Sequence, residues 1–183
     1  MKHILVISLL FAKGLVLADS KPYKGKAPSI PGKIEAEHYD EGKPGVAYHD
    51  NDVKNSGAKY REVTQVDIEK RPDASNGHGI GWTRKGEWLN YTVEVQQSGT
   101  YSIEIPVASN KQGGIFHLEM AGKDITGPIR IPDTGGWQIL KLLKHGNVKL
   151  TKGRYVIRAV MDGQGPSGSI GDIDYFKFVK NSK

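Results

Sequence analysis

The sequence contains no cysteine. That absence removes disulfides, thiolate metal sites, a cysteine nucleophile and a lipid-modified N-terminal cysteine. No apolar run reaches the about 20 residues that a membrane-spanning helix needs. Neither sign of charge dominates: 26 Lys and Arg face 20 Asp and Glu, giving +6, and the lysines are scattered. A nucleic-acid reader would gather its charge into a basic stripe beside a binding motif, and neither is visible, so nucleic acid is not an expected partner. Helical periodicity is missing too, because no stretch keeps a 3.6-residue apolar spacing through three turns.

The chain opens with "MKHILVISLLFAKGLVLADS", in which Lys2, an apolar stretch from Ile4 to Ala12 and the Val16-Leu17-Ala18 signal precede Asp19. This pattern predicts a secretory signal peptide over 1–18 and a secreted protein, extracellular or periplasmic. The Pro-, Gly- and Lys-rich segment that follows predicts a linker over 19–30. Residues 31–180 then fit one domain, on a prior of roughly 100 to 200 residues each.

Within that domain the apolar period is two. Tyr91, Val93 and Val95 share one face, the pattern breaks at Gln96 to Gly99, and Tyr101, Ile103, Ile105 and Val107 resume it, which predicts a hairpin. Phe116, Leu118 and Met120 alternate likewise, as do Tyr155, Ile157 and Ala159 after a turn at Lys152-Gly153. With 23 glycines at turn positions, the expected fold is an all-β antiparallel sandwich of jelly-roll type. Tyr91, Tyr101, Tyr155, Phe116 and Phe178 are expected in its core, since aromatic residues at alternating positions bury large areas. Trp88 runs in register with Asn90 and Thr92, opposite Leu89 and Tyr91, and is expected on an outer or concave face.

The domain begins with "KIEAEHYD" and ends with "GDIDYFKF", each holding two carboxylates two residues apart: Glu35 with Glu37, and Asp172 with Asp174. On a strand, residues two apart share a face. Domain termini often lie close together, so the four acids are expected to approach one another, where like charges either keep a proton or recruit a cation. Oxygen-only ligands suit calcium, which would staple a small domain that lacks disulfides. Ordinary surface acids and a glycosidase acid–nucleophile pair are the competing readings of the same spacing. Asp50 and Asp52, in "YHDNDVKN", form another oxygen-rich loop, readable as polar turn residues or as a second calcium site.

Eight blocks, "IPGKIEAEHYD", "GVAYHDND", "GAKYREVTQVDIE", "GIGWTRKGEWLNYTVEV", "GTYSIEIPVAS", "PDTGGWQ", "VKLTKGRYVIRAV" and "DIDYFKF", resemble a family 6 carbohydrate-binding module in order and spacing. The similarity is to modules appended to agarases, β-1,3-glucanases and xylanases. It implies a β-sandwich with a structural calcium, in which Glu35, Glu37 and Asp174 match the metal-binding acids. It also implies a polysaccharide or oligosaccharide ligand of agarose, β-glucan or xylan type, no catalysis, and association with a glycoside hydrolase.

A sugar offers apolar C–H faces and a rim of hydroxyls, so its binder needs an aromatic platform and planar polar groups. Tyr60 and Trp137 lie in Gly-containing loops with little local chain to bury them, and the resemblance implies that they sandwich a terminal sugar. Where the family carries an asparagine ahead of its last strand this chain has Asp172, which keeps an acceptor, loses the amide donor and disfavours acidic polysaccharides. Trp88 is a further carbohydrate-binding candidate. A protein-adhesion sandwich is the alternative function, since fold alone does not fix function.

Overall fold

Period-two alternation organises the chain into short strands, seen in a computed structural model that describes residues 20–182. The predicted signal peptide lies outside the described residues. The strands are β1 (Ser29–Ile30), β2 (Gly32–Glu35), β3 (Tyr48–His49), β4 (Ile68–Lys70), β5 (His78–Ile80), β6 (Trp88–Val95), β7 (Gly99–Ser109), β8 (Ile115–Met120), β9 (Lys123–Asp124), β10 (Ile129–Arg130), β11 (Gly136–Leu150), β12 (Gly153–Gly163), β13 (Asp172–Ile173) and β14 (Tyr175–Lys180). One sheet runs β1-β6-β12-β8-β10, with β3 on β6 and β9 on β8. The other runs β2-β14-β7-β13-β5-β4, with β11 on β7. The pairs are antiparallel except β1 with β6.

The core lies between the sheets. Leu89, Tyr91, Val93 and Val95 of β6 and Tyr101, Ile103, Ile105 and Val107 of β7 are buried in one cluster with Phe116, Phe176 and Phe178. Burial of each such side chain contributes about 1.5–3 kcal/mol, which is the main stabilisation open to a chain without disulfides. Tyr155 packs against this cluster half-buried. The predicted hairpin is corrected: β6 and β7 belong to different sheets, so residues 96–98 form an arch between layers. Alternation specifies which side chains face the core and leaves the hydrogen-bonded neighbour open.

The linker expectation is also corrected, because residues 20–30 are part of the sandwich. Lys21 and Glu41 exchange backbone hydrogen bonds of 2.9 and 2.7 Å, Ile30 is fully buried, and Ser29–Ile30 pairs with Glu94 and Val95. A Pro- and Gly-rich composition cannot distinguish a linker from a fixed edge segment.

Two local irregularities position the acids. Glu35 ends β2 and Glu37 sits in the 3-10 turn Ala36–His38, so they do not share one strand face as the spacing predicted. At the other end Ile173 pairs with Val107, yet Lys177 pairs with Glu104 where an unbroken ladder would give Ile103. This one-residue slip between β13 and β14 turns Ile173, Phe176 and Phe178 all inward. It frees Asp172 and Asp174 for different surroundings.

Candidate functional site

A cavity of about 330 Å³ opens at one end of the sandwich, lined by Glu69, Trp82, Arg84, Trp137, Ser167, Gly168, Ser169 and Asp172. Four chain segments meet there: β4, the turn after β5, the head of β11, and the loop leading into β13.

Trp82 has φ +50°, a left-handed conformation that costs a bulky residue on the order of 1–3 kcal/mol and persists only where its neighbours impose it. They do so from both sides. The Gly81 amide donates to the Asp67 carbonyl at 3.1 Å, while Thr83 donates through Oγ1 to the Gly171 carbonyl at 2.7 Å and accepts the Ile170 amide at 2.9 Å. The indole is thereby thrown outward and is 46% exposed. Gly168, at φ +82°, allows the opposite loop to turn without a side chain.

Trp137 stands in the first stretch of β11, where the ladder with β7 is interrupted between Gly136 and Lys141. Its carbonyl instead accepts from Arg71 Nη2 at 2.8 Å. Arg71 is fully buried, and it also donates to both Asp73 oxygens at 2.9 Å, to Glu69 Oε2 at 3.1 Å and to Asp172 Oδ2 at 2.9 Å. Burial pushes the Asp172 carboxyl up to about 8, with repulsion from Glu69 adding to the rise and Arg71 opposing it.

Two indoles and a pair of oriented carboxyl groups around one cavity can stack on an apolar sugar face and bond its hydroxyl rim. Glu69 and Asp172 are tied to the same Arg71 nitrogen, which makes them fixed hydrogen-bonding groups rather than an acid and a free nucleophile.

Of the residues expected from sequence, the structure brings Trp137 and Asp172 together and leaves two aromatics elsewhere. Tyr60 is not in the cavity: its hydroxyl bonds His38 Nε2 at 2.8 Å and Tyr23 at 3.1 Å, and its ring stacks on His78 with centroids 4.3 Å apart. The expected pairing of Tyr60 with Trp137 is thus corrected, because Tyr23, from the segment read as a linker, helps to cover it. Tyr60→Ala should lower the melting temperature but change sugar affinity by less than about twofold, a few tenths of a kcal/mol, in a calorimetric titration. Trp88 faces away from the core on β6, with the Arg158 guanidinium 3.9 Å from its ring centroid. Trp82, Glu69, Arg71 and Arg84 were missed. Trp82 carries the same signal that selects Trp137, an aromatic beside glycine where alternation stops.

The proposed metal acids lie at the opposite edge of β13. Asp174 accepts the Ser75 amide at 3.1 Å, and Glu35 accepts the Ser75 hydroxyl at 2.7 Å and pairs with Lys33 at 2.6 Å. Glu37 accepts from Asn76 through Oε1, while its buried Oε2 has no partner. Burial pushes Glu37 up to about 7, Asn76 opposes the rise, and Glu35 and Asp174 add to it. Among the described residues no three His, Cys, Asp or Glu side chains stand ready-made as a metal site. The orphaned Glu37 oxygen and the oxygen-only donor set nonetheless fit a hard cation such as calcium. The Asp52 amide donates to Asp50 Oδ1 at 2.7 Å, but the two carboxylates face different partners: Asp52 pairs with Arg84 at 3.7 Å, whereas Asp50 lines a cavity of about 10 Å³ with Asp67 and Glu87.

Known proteins carry the same architecture. A β-1,3-glucan-binding family 6 module of Bacillus halodurans superposes with a TM-score of 0.63 at 27% identity, over 84% of this chain and 98% of that one. The module of Cellvibrio mixtus lichenase 5A, in complex with cellotriose, gives 0.57 at 28% identity over 83% and 98%. The clotting factor G alpha subunit of Tachypleus tridentatus is 33% identical over 98 residues, which are 52% of this chain and 14% of that protein. The family model for carbohydrate binding module (family 6) matches residues 56–180, and with the sandwich and its two-tryptophan cleft already in view, the chain belongs to that family.

Proposed function

We propose that the cleft binds β-glucan, holding one sugar between Trp82 and Trp137 over the Glu69 and Asp172 carboxyl groups. The observation that carries this reading is the convergence of both indoles on a single cavity with two fixed hydrogen-bonding groups. The β-1,3-glucan binder and the cellotriose complex among the similar structures support the glucan assignment. Glu35, Glu37 and Asp174 would hold calcium, which would supply charge compensation to the strand ends and no chemistry to the cleft. The module works outside the cytoplasm, where such polymers are met, and beside a glycoside hydrolase, as in the lichenase from which one similar module comes. Among the described residues no helix is long and apolar enough to cross a membrane.

Calorimetric titration with laminari-, cello-, xylo- and agaro-oligosaccharides tests the reading. Binding is expected for the first two, with no reducing ends released from any polymer. Affinity confined to xylan or agarose would overturn the glucan assignment, and product formation abolished by Asp172→Ala would overturn the binding-only role.

A further inference from the structure

Arg71 is one of the largest fully buried side chains in the protein, yet it does not line the cleft. A guanidinium has five N–H donors, and here each has an acceptor: Nε and one Nη2 proton on Asp73, the other Nη2 proton on the Trp137 carbonyl, and the two Nη1 protons on Glu69 and Asp172. Three of those acceptors belong to residues that line the cavity. They come from β4, β11 and β13, and among the described residues the one other side-chain tie between these strands is the hydrogen bond from Gln138 Nε2 at the head of β11 to Glu69 Oε1.

The contact to Trp137 matters most. Between Gly136 and Lys141 the β11 backbone leaves the β7 ladder, so the regular strand hydrogen bonds that would hold an aromatic wall are missing there. Arg71 supplies a replacement at 2.8 Å. Asp73 braces it from behind: it grips the guanidinium with both oxygens and lies outside the cavity. The fork geometry is what lets one side chain serve three walls at once; a lysine has three donors on a single atom and cannot span them.

We infer that Arg71 is the positioning residue of the cleft, setting the seat of Trp137 and the aim of Glu69 and Asp172, so that affinity for a sugar it never touches depends on it. The inference rests on the glucan reading above. It also assigns Asp73 a share in binding, from outside the site.

The test is calorimetric titration of the parent, Arg71→Lys, Asp73→Ala, Trp137→Ala and the Arg71→Lys/Trp137→Ala double variant with a laminari-oligosaccharide, after circular dichroism has established which variants fold. Folded Arg71→Lys should bind at least about tenfold more weakly, and Asp73→Ala about threefold. In the Trp137→Ala background the lysine change should cost much less than in the parent, because residues that act through one another are non-additive. Equal losses in both backgrounds would overturn the positioning role, as would full affinity in folded Arg71→Lys. If Arg71→Lys does not fold, parent-like affinity in Asp73→Ala overturns it. A parent protein that binds no laminari- or cello-oligosaccharide fails the glucan reading itself, and the inference falls with it.

Discussion

Replacing Trp137 by alanine should weaken β-glucan oligosaccharide binding by one to two decades while leaving the melting temperature nearly unchanged. Stacking of an aromatic on a planar ligand is worth roughly 1–3 kcal/mol per ring, and about 1.4 kcal/mol is one decade of affinity. Trp137 is half-buried at the head of β11 and outside the core cluster, so its loss removes a wall of the cleft and little packing. Trp82 should behave alike toward sugar and differently toward stability. Its indole is 46% exposed and its backbone is held at φ +50°, so Trp82→Gly relieves a conformation that glycine adopts freely. We expect Trp82→Gly to lose binding as severely as Trp137→Ala and to melt no lower than the parent. Titration and differential scanning calorimetry on the same samples check both. A variant that keeps its affinity would remove that ring from the site.

The second large effect concerns calcium. If Glu35, Glu37 and Asp174 hold the ion, a chelator should lower the melting temperature, since a ligand bound only by the native state stabilises it by about 2.7 kcal/mol at a hundredfold excess over Kd. For a chain of this size that is on the order of 5–10 °C. The dependence on pH has a definite sign. Burial raises the Glu37 pKa to about 7, above its unfolded value, so the folded, calcium-free protein binds the proton more tightly than the unfolded chain. Its stability is then greatest below about pH 4.5 as far as this group is concerned, and falls as pH rises to about 7. Calcium needs the carboxylate and competes with that proton, so the gap between calcium-loaded and chelated melting temperatures should widen from pH 5 to pH 7.5. Glu37→Gln should close the gap. Identical melts with and without chelator across this range would remove calcium from the account.

Much of the fold could be read from the sequence because the information is local. Alternation along β6, β7, β8 and β12 marks the inward side chains, and the structure buries them as marked except Met120 and Tyr155, which pack against the core half-buried. Strand neighbours are a different matter: nothing in the residues of β6 and β7 says that they diverge into separate sheets. The same limit governs the site. Trp137 and Asp172 were legible from a glycine-flanked loop and from the position ahead of the last strand. Trp82 was harder, because its exposure depends on a positive φ imposed by Asp67, Ile170 and Gly171, which are distant from it in sequence. Tyr60 shows the converse error, a loop aromatic covered by His38 from the start of the domain and by Tyr23 from the segment that reads as a linker. Arg71 was invisible in sequence, since its role follows from contacts 66 and 101 residues away.

If one glucan ring sits between Trp82 and Trp137, its C–H protons lie against both indoles. Intermolecular nuclear Overhauser effects between a bound laminari-oligosaccharide and the indole protons of the three tryptophans test it most directly. Contacts are expected from the ring C–H protons of one sugar unit to both Trp82 and Trp137, and none to Trp88. Contacts to Trp88 alone, or to Tyr60 without Trp82, would contradict it.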